Sequence, residues 1–303
     1  MRVVSVLPSA TEIVYALGHG PELVGRSAEC DHPHEVTRLP VVMRARTLDS
    51  DRPSAEIDAR VRTARARNES LYELDIEGLR ALRPELLLTQ DLCGVCSVTP
   101  AQVVEACARA GVAPRVVSLT PRTLEEVWAT IPIVAEALGD PESGHRLLST
   151  IRKGLPPLLS VARRPRVALI EWVDPPILAG LWASEIVTKS GGEFIGPAPG
   201  TPGERTSWEE IRARRPELVI ISPCSFAVPR TLAELARPSP REGLSTLSPE
   251  LGTFVADEAY FSRPGPRLAD GVRLVYSLLH GGPSRFPMAV ERWSPDSSPG
   301  AFA

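Results

Sequence analysis

Short apolar runs alternate with amphipathic stretches along most of this chain, the pattern of an α/β protein. Residues 2–7 are β-branched and apolar, as a strand buried on both faces requires. Ser9 and Glu12 follow with capping-box spacing, which predicts a helix running to about Leu17 before Gly18. Leu23–Gly25 and Leu39–Met43 read as short strands. Residues 44–71 are arginine-rich and read as an insertion, with a polar helix over 54–67. Helices are predicted over 75–82 and 100–110, and strands over 85–90 and 115–119. Thr123–Leu138 and Pro141–Ala162 carry helical periodicity. Gly154, Pro156 and Pro157 predict a kink or early end near 154, because an interior proline costs about 3 kcal/mol. Beyond it come a strand at Arg166–Glu171, helices at Ser184–Ser190 and 207–214, and a strand at 217–221. A proline-rich loop over 223–250, a strand over 253–256, a helix over 266–279 and a loose tail over 281–303 complete the pattern.

One segment occurs twice. Residues 77–88 read EGLRALRPELLL and residues 209–220 read EEIRARRPELVI, with seven identities in twelve at an offset of 132. A solenoid would repeat every ~20–50 residues, so this offset indicates two similar lobes. The expected architecture is two Rossmann-like α/β lobes with central sheets. The expected divisions are 1–122, bridging helices 123–163, 164–283 and a tail 284–303. A ligand cleft between the lobes is the natural site.

In open α/β sheets ligands bind beyond the carboxyl ends of the strands. Those ends carry Pro8 and Ser9, then Glu29, Cys30, Asp31, His32 and His34, then Gln90, Asp91, Cys93 and Cys96. In the second half they carry Glu171, Trp172 and Asp174, then Cys224 and Phe226, then Asp257, Tyr260, Phe261 and Arg263. Cys30, Cys93, Cys96 and Cys224 read either as a thiolate site for a transition metal or as small buried thiols. Cys107, in an apolar helix, reads as a core residue. The aromatics Trp172, Trp182, Phe226, Tyr260 and Phe261 read either as a platform for a flat ligand or as the core of the second lobe.

Composition narrows the function. Net charge is −3, so no broad basic surface is available and nucleic acid is not an expected partner. No Walker loop, dinucleotide fingerprint or Gly-x-Ser-x-Gly elbow is present. Glu171 and Asp174 are acid/base candidates, but nothing in the sequence pairs them with a nucleophile. Met1-Arg2 leads straight into VVSVLP, short of the ~7–15 apolar residues of a secretory signal. The expectation is a cytoplasmic, monomeric chain with reduced cysteines.

Several of these stretches, in order, resemble the substrate-binding proteins of ABC importers for cobalamin and iron chelates. They are RVVSVLPSATEIVYALG, ELVGRSAECDHP, RPELLLTQ, VALIEWVDPPILAG, RPELVIISPC and DEAYFSRPGPRLADGV, spread over roughly residues 1–280. The resemblance is closest to the cobalamin-binding type. It implies a single long helix joining the two lobes, and non-catalytic binding of a cobalamin-like corrinoid or other metal chelate. It also implies ligand contacts from Pro8, Ser9, Cys30, Asp31, Trp172, Pro175, Pro176, Asp257, Tyr260, Phe261 and Arg263. Glu77 and Glu209, at equivalent points of the repeat, resemble the paired glutamates that dock on a membrane transporter. They also read as helix-N-terminal glutamates favoured by the helix dipole. A metal-dependent enzyme or metal carrier using the four strand-end cysteines is the alternative.

Overall fold

The computed structural model describes residues 1–46, 52–67, 69–91, 98–157, 163–281 and 290–295. The chain divides into two compact units. The first comprises Met1–Arg52, Ala59–Pro121 and Glu125–Lys153, and the second comprises Pro53–Asp58, Arg122–Leu124 and Gly154–Ala303.

The first unit is built, in order, from β1 (Val3–Ser5), α1 (Pro8–Ala16), β2 (Leu23–Ser27), β3 (Val41–Ala45), α2 (Ser54–Ala66), β4 (Tyr72–Leu74) and α3 (Ile76–Leu82). β5 (Leu86–Gln90), α4 (Pro100–Ala110), β6 (Arg115–Leu119), α5 (Leu124–Leu138) and α6 (Pro141–Lys153) follow. The first turn of α2 and the first residue of α5 cluster with the second unit. The sheet runs β4-β3-β2-β1-β5-β6, parallel throughout except for the β3–β4 pair. β1 is central and wholly buried, which explains its unbroken apolar run. Val4, Val42, Leu79, Leu87 and Val103 form the core between this sheet and helices α3 and α4. Each such side chain contributes roughly 1.5–3 kcal/mol on burial.

The second unit adds β7 (Arg166–Val173), β8 (Pro176–Leu178), α7 (Ala183–Lys189), β9 (Glu193–Phe194), β10 (Glu204–Arg205), α8 (Trp208–Ala213) and β11 (Leu218–Ile221). It closes with α9 (Val228–Leu235), α10 (Pro238–Ser245), β12 (Gly252–Ala256), α11 (Leu268–His280) and β13 (Val290–Trp293). Its sheet runs β10-β8-β7-β11-β12-β13, and β9 pairs with β7 off that path. The β7–β11–β12 centre is parallel and the flanking β8, β10 and β13 are antiparallel.

Four sequence expectations need correction. The N-cap of α1 is Leu7, without a side-chain cap bond, and Pro8 opens the helix. Ser9 therefore lies inside the first turn, 2% exposed, and does not cap it. The region 223–250 is not a loop. Pro229 and Pro238 lie in the first turns of α9 and α10, where a missing N–H leaves no helical bond unmade. The tail supplies β13, which pairs antiparallel with β12 from Thr253↔Trp293 to Ala256↔Val290. The connector is two helices, and α6 stops at Lys153, beside the Gly154 that predicted its early end.

The repeated segment makes the same structure twice. Arg83 and Arg215 both adopt the left-handed region, at φ 44° and 51°, each just before its proline. That conformation costs a non-glycine residue roughly 1–2 kcal/mol. The next glutamate offsets it. The carboxylate of Glu85 accepts from the Arg2 N–H at 2.7 Å, and its own N–H donates to the Arg2 carbonyl at 2.8 Å. Glu217 repeats both bonds with Arg166, at 3.0 and 2.8 Å. The arginine side chains bind the same turn one residue apart: Arg2 Nε donates to the Leu82 carbonyl at 2.6 Å, and Arg166 Nε to the Arg215 carbonyl at 2.7 Å. Each clasp sets the entry to the first strand of its sheet against the strand that follows the repeat.

The clasps differ in burial. Glu217 is 7% exposed and also pairs with Arg163, whereas Glu85 is exposed. Glu217→Ala is expected to lower unfolding free energy by about 3 kcal/mol and Glu85→Ala by about 1 kcal/mol, measured by urea denaturation. Equal losses would contradict this account.

Candidate functional site

β1, β2 and β5 are parallel, so their carboxyl ends lie along one edge of the first sheet. The strand order reverses around β1, which makes that edge a topological switch point. Pro8 and Ser9 follow β1, and Cys30 and Asp31 follow β2. Pro8 is half-buried, Asp31 is exposed, and Cys30 is 0% exposed. The Cys30 sulfur accepts from Thr11 Oγ1 at 3.1 Å, so it packs α1 against the loop after β2. Arg26 staples the same loop by donating to the carbonyls of Ser27, Ala28, Cys30 and Thr37 at 3.0–3.1 Å. His32 and His34 are exposed.

In the second unit β7, β11 and β12 end together. Trp172 and Asp174 follow the bulge in β7, where its register with β8 shifts between Ile170 and Trp172. The Trp172 and Phe226 rings meet at 5.3 Å between centroids, and the Arg230 guanidinium lies over Phe226 at 4.2 Å. The Cys224 N–H donates to the Glu171 carbonyl at 3.2 Å and ties the end of β11 to that of β7. Pro175 is half-buried and Pro176 is buried within β8. After β12, Asp257 accepts from the Ala259 N–H at 3.0 Å, and Arg263 Nε meets Glu258 Oε1 at 2.5 Å. Tyr260 is half-buried. Phe261 is 5% exposed, and its carbonyl accepts from Trp182 Nε1 at 2.6 Å. Trp182 and the Phe261 ring therefore belong to the core of this unit. Glu258 and Arg230 are not sequence candidates: Arg230 stands in no motif, and Glu258, inside DEAYFSRPGPRLADGV, gives no sign of its pairing with Arg263.

Two groups here have displaced protonation. Glu171 Oε2 accepts from the Gly180 N–H at 3.2 Å, and Oε1 presses on Gly203, where any Cβ would fall 2.0 Å away. Burial pushes its carboxyl up to about 7, against the lowering effect of that one hydrogen bond. Cys224 is exposed, yet its thiol is held protonated. Desolvation there, then the Glu258 and Glu171 carboxylates, push it up to about 12.

The proposed thiolate metal site gains no support. Cys93 and Cys96 lie outside the described residues, and Cys30 is buried. Among the described residues no group of three or more His, Cys, Asp or Glu is arranged to hold a metal ion. Cys107 is 4% exposed in α4, a core residue. Glu77 and Glu209 are both exposed, and Glu77 pairs with Arg80 at 2.6 Å.

No family model matches the chain. It is 25% identical over 290 residues to a vitamin B12-binding protein of Pectobacterium atrosepticum, covering 92% of this chain and 88% of that one. A vitamin B12-binding protein of Photorhabdus laumondii is 23% identical, with 88% and 84% covered. Among solved structures, a periplasmic heme binding protein from Pseudomonas aeruginosa matches with a TM-score of 0.68 at 22% identity, covering 97% and 95%. A periplasmic vitamin B12 binding protein of Vibrio cholerae matches at 0.60 and 21%, covering 92% and 96%. The chain has the fold of these binding proteins. The expected cytoplasmic location finds no support among these periplasmic relatives.

The site makes two predictions. The folded chain keeps a proton on Glu171 up to about pH 7, whereas an unfolded carboxyl loses it near 4.5. Between these values the folded state binds more protons, so stability falls as pH rises, by about 2–3 kcal/mol once above 7. Glu171→Gln should remove that component, so urea midpoints of variant and wild type should move apart between pH 5 and 8. At pH 8 the Cys224 thiol should react with a disulfide reagent about a hundredfold more slowly than free cysteine. Its thiolate fraction falls by more than its nucleophilicity rises.

Proposed function

We propose that this chain binds a corrinoid or related metal chelate at the carboxyl-end loops of its second sheet, without transforming it. The observation that carries this is the placement of Trp172, Cys224, Asp257 and Arg263 at the parallel ends of β7, β11 and β12, with the Trp172 ring backed by buried Phe226. A flat ring system suits such a site, because aromatic faces bury large area against it. The vitamin B12-binding relatives, which match over most of their length, support the choice of ligand class. No nucleophile with an activating base stands among the described residues of these loops. The Cys224 thiol, held up at about 12, is a poor nucleophile near neutral pH.

We further propose that the chain acts as a monomer and hands its ligand to a membrane transporter. Glu77 and Glu209, exposed at equivalent points of α3 and α8, are the proposed docking marks. One relative by fold is described as an ABC transporter substrate-binding protein, from Listeria monocytogenes, with a TM-score of 0.64 at 12% identity. No helix among the described residues is long and apolar enough to cross a membrane.

Equilibrium dialysis against dicyanocobinamide, cyanocobalamin and haem tests the binding. A dissociation constant near the micromolar range, about −8 kcal/mol, is expected for at least one corrinoid. Trp172→Ala should weaken it about tenfold. No binding of any of the three below about 100 μM would sink the proposal.

A further inference from the structure

The relatives bind two kinds of metal chelate that differ at their rims. Vitamin B12 corrins carry neutral carboxamides, whereas haem carries two propionates. The loops of this chain are not neutral between them. After β7, β11 and β12, four carboxyl groups (Glu171, Asp174, Asp257 and Glu258) stand against two guanidinium groups, Arg263 and Arg267. Arg263 is committed to Glu258 at 2.5 Å. Arg230, on α9, is committed to buried Glu234 at 2.9 Å and to the face of Phe226.

Glu171 is the carboxyl most set apart. It has no cationic partner among the described residues and one hydrogen bond, from the Gly180 N–H. It occupies the bulge of β7 immediately before Trp172, and its backbone carbonyl holds Cys224. Gly203 leaves room for its other oxygen. A carboxamide supplies N–H donors to such an acceptor, while a carboxylate supplies only more acceptors and like charge. The indole N–H of Trp172 is itself without a partner, a neutral donor suited to an amide carbonyl.

We infer that this site selects chelates by the charge of their periphery, accepting a carboxamide rim and rejecting a carboxylate rim, with Glu171 as the principal specificity-determining residue and Asp174 as a second. This rests on the chelate-binding function proposed above. Selection acts through charge, so it weakens as salt rises.

The test holds the ring constant and changes only the rim. Dicyanocobinamide, with carboxamides, and dicyanocobyrinic acid, with carboxylates, are titrated into the purified full chain at pH 8 in low salt. The amide form should bind at least about 30-fold more tightly. The ratio of the two dissociation constants should shrink about tenfold in Glu171→Gln, about threefold in Asp174→Asn, and in wild type on raising salt to about 0.5 M. Melting temperatures check that each variant folds, and Asp174→Asn decides the matter if Glu171→Gln does not. Equal binding of the two corrins, preference for the acid, or a ratio that neither folded variant moves would overturn the inference while leaving chelate binding intact. If neither corrin binds, the function proposed above falls and this inference with it.

Discussion

The structure depends on a clasp made twice. In each unit an arginine in left-handed backbone precedes Pro-Glu, and the glutamate takes hold of the residue entering the first strand. Arg2 with Glu85 and Arg166 with Glu217 are bonded alike, through the same backbone and side-chain groups. The backbone strain at Arg83 and Arg215 persists because the bonds around it over-determine the turn. Once the clasp is set, the relation between first and following strand is fixed, and the parallel ladders β1–β5 and β7–β11 run from it. Their carboxyl ends then fall side by side. The placement of Pro8, Trp172 and Cys224 at strand ends follows from a contact at the opposite end of each sheet.

This separates stability from function in space. The clasps lie at the amino ends of the strands, where a carboxylate can be satisfied by backbone N–H groups and arginines. The carboxyl ends keep groups that folding does not fully satisfy. Glu171 is held by one hydrogen bond and pushed up to about 7, and the Trp172 indole N–H has no partner. Glu217, more deeply buried, has two arginines and an N–H, and Glu234 has Ser54, Arg230 and Arg237. Glu217 and Glu234 are thus provided with charged partners, whereas Glu171 has no cationic partner among the described residues. An under-satisfied buried acid costs stability that a purely structural position would have had reason to avoid.

Much of the fold was legible because the parallel strands are short apolar runs bounded by prolines and glycines. The repeat added what periodicity cannot, two units from one comparison. The errors share a cause. Ser9 has the spacing of a cap, but Pro8 already satisfies the helix start, so the serine is drawn inside. Pro229 and Pro238 looked like breakers and are helix openers, since a proline's meaning depends on whether an N–H is needed at that position. β13 joins β12 across a long separation in sequence, and no local pattern announces such a pairing. At the site, the residue types at strand ends were legible, but their states were not. Phe261 and Trp182 carry the signature of ligand-facing aromatics and are instead joined to each other, ring N–H to carbonyl. Glu258 became visible only beside Arg263, because a glutamate in sequence carries no record of its counter-ion.

The cysteines show how environment decides chemistry that composition leaves open. Five thiols with four at strand ends suggested a metal centre. Cys30 and Cys224 both follow parallel strands, in different units, yet one is sealed under Thr11 and the other is open to solvent. A thiol binds a metal as thiolate, and desolvation, then the Glu258 and Glu171 carboxyls, oppose that ionisation at Cys224. The same carboxyls favour a ligand that brings no negative charge of its own. That acidic rim therefore favours a neutral chelate, one whose metal arrives already bound.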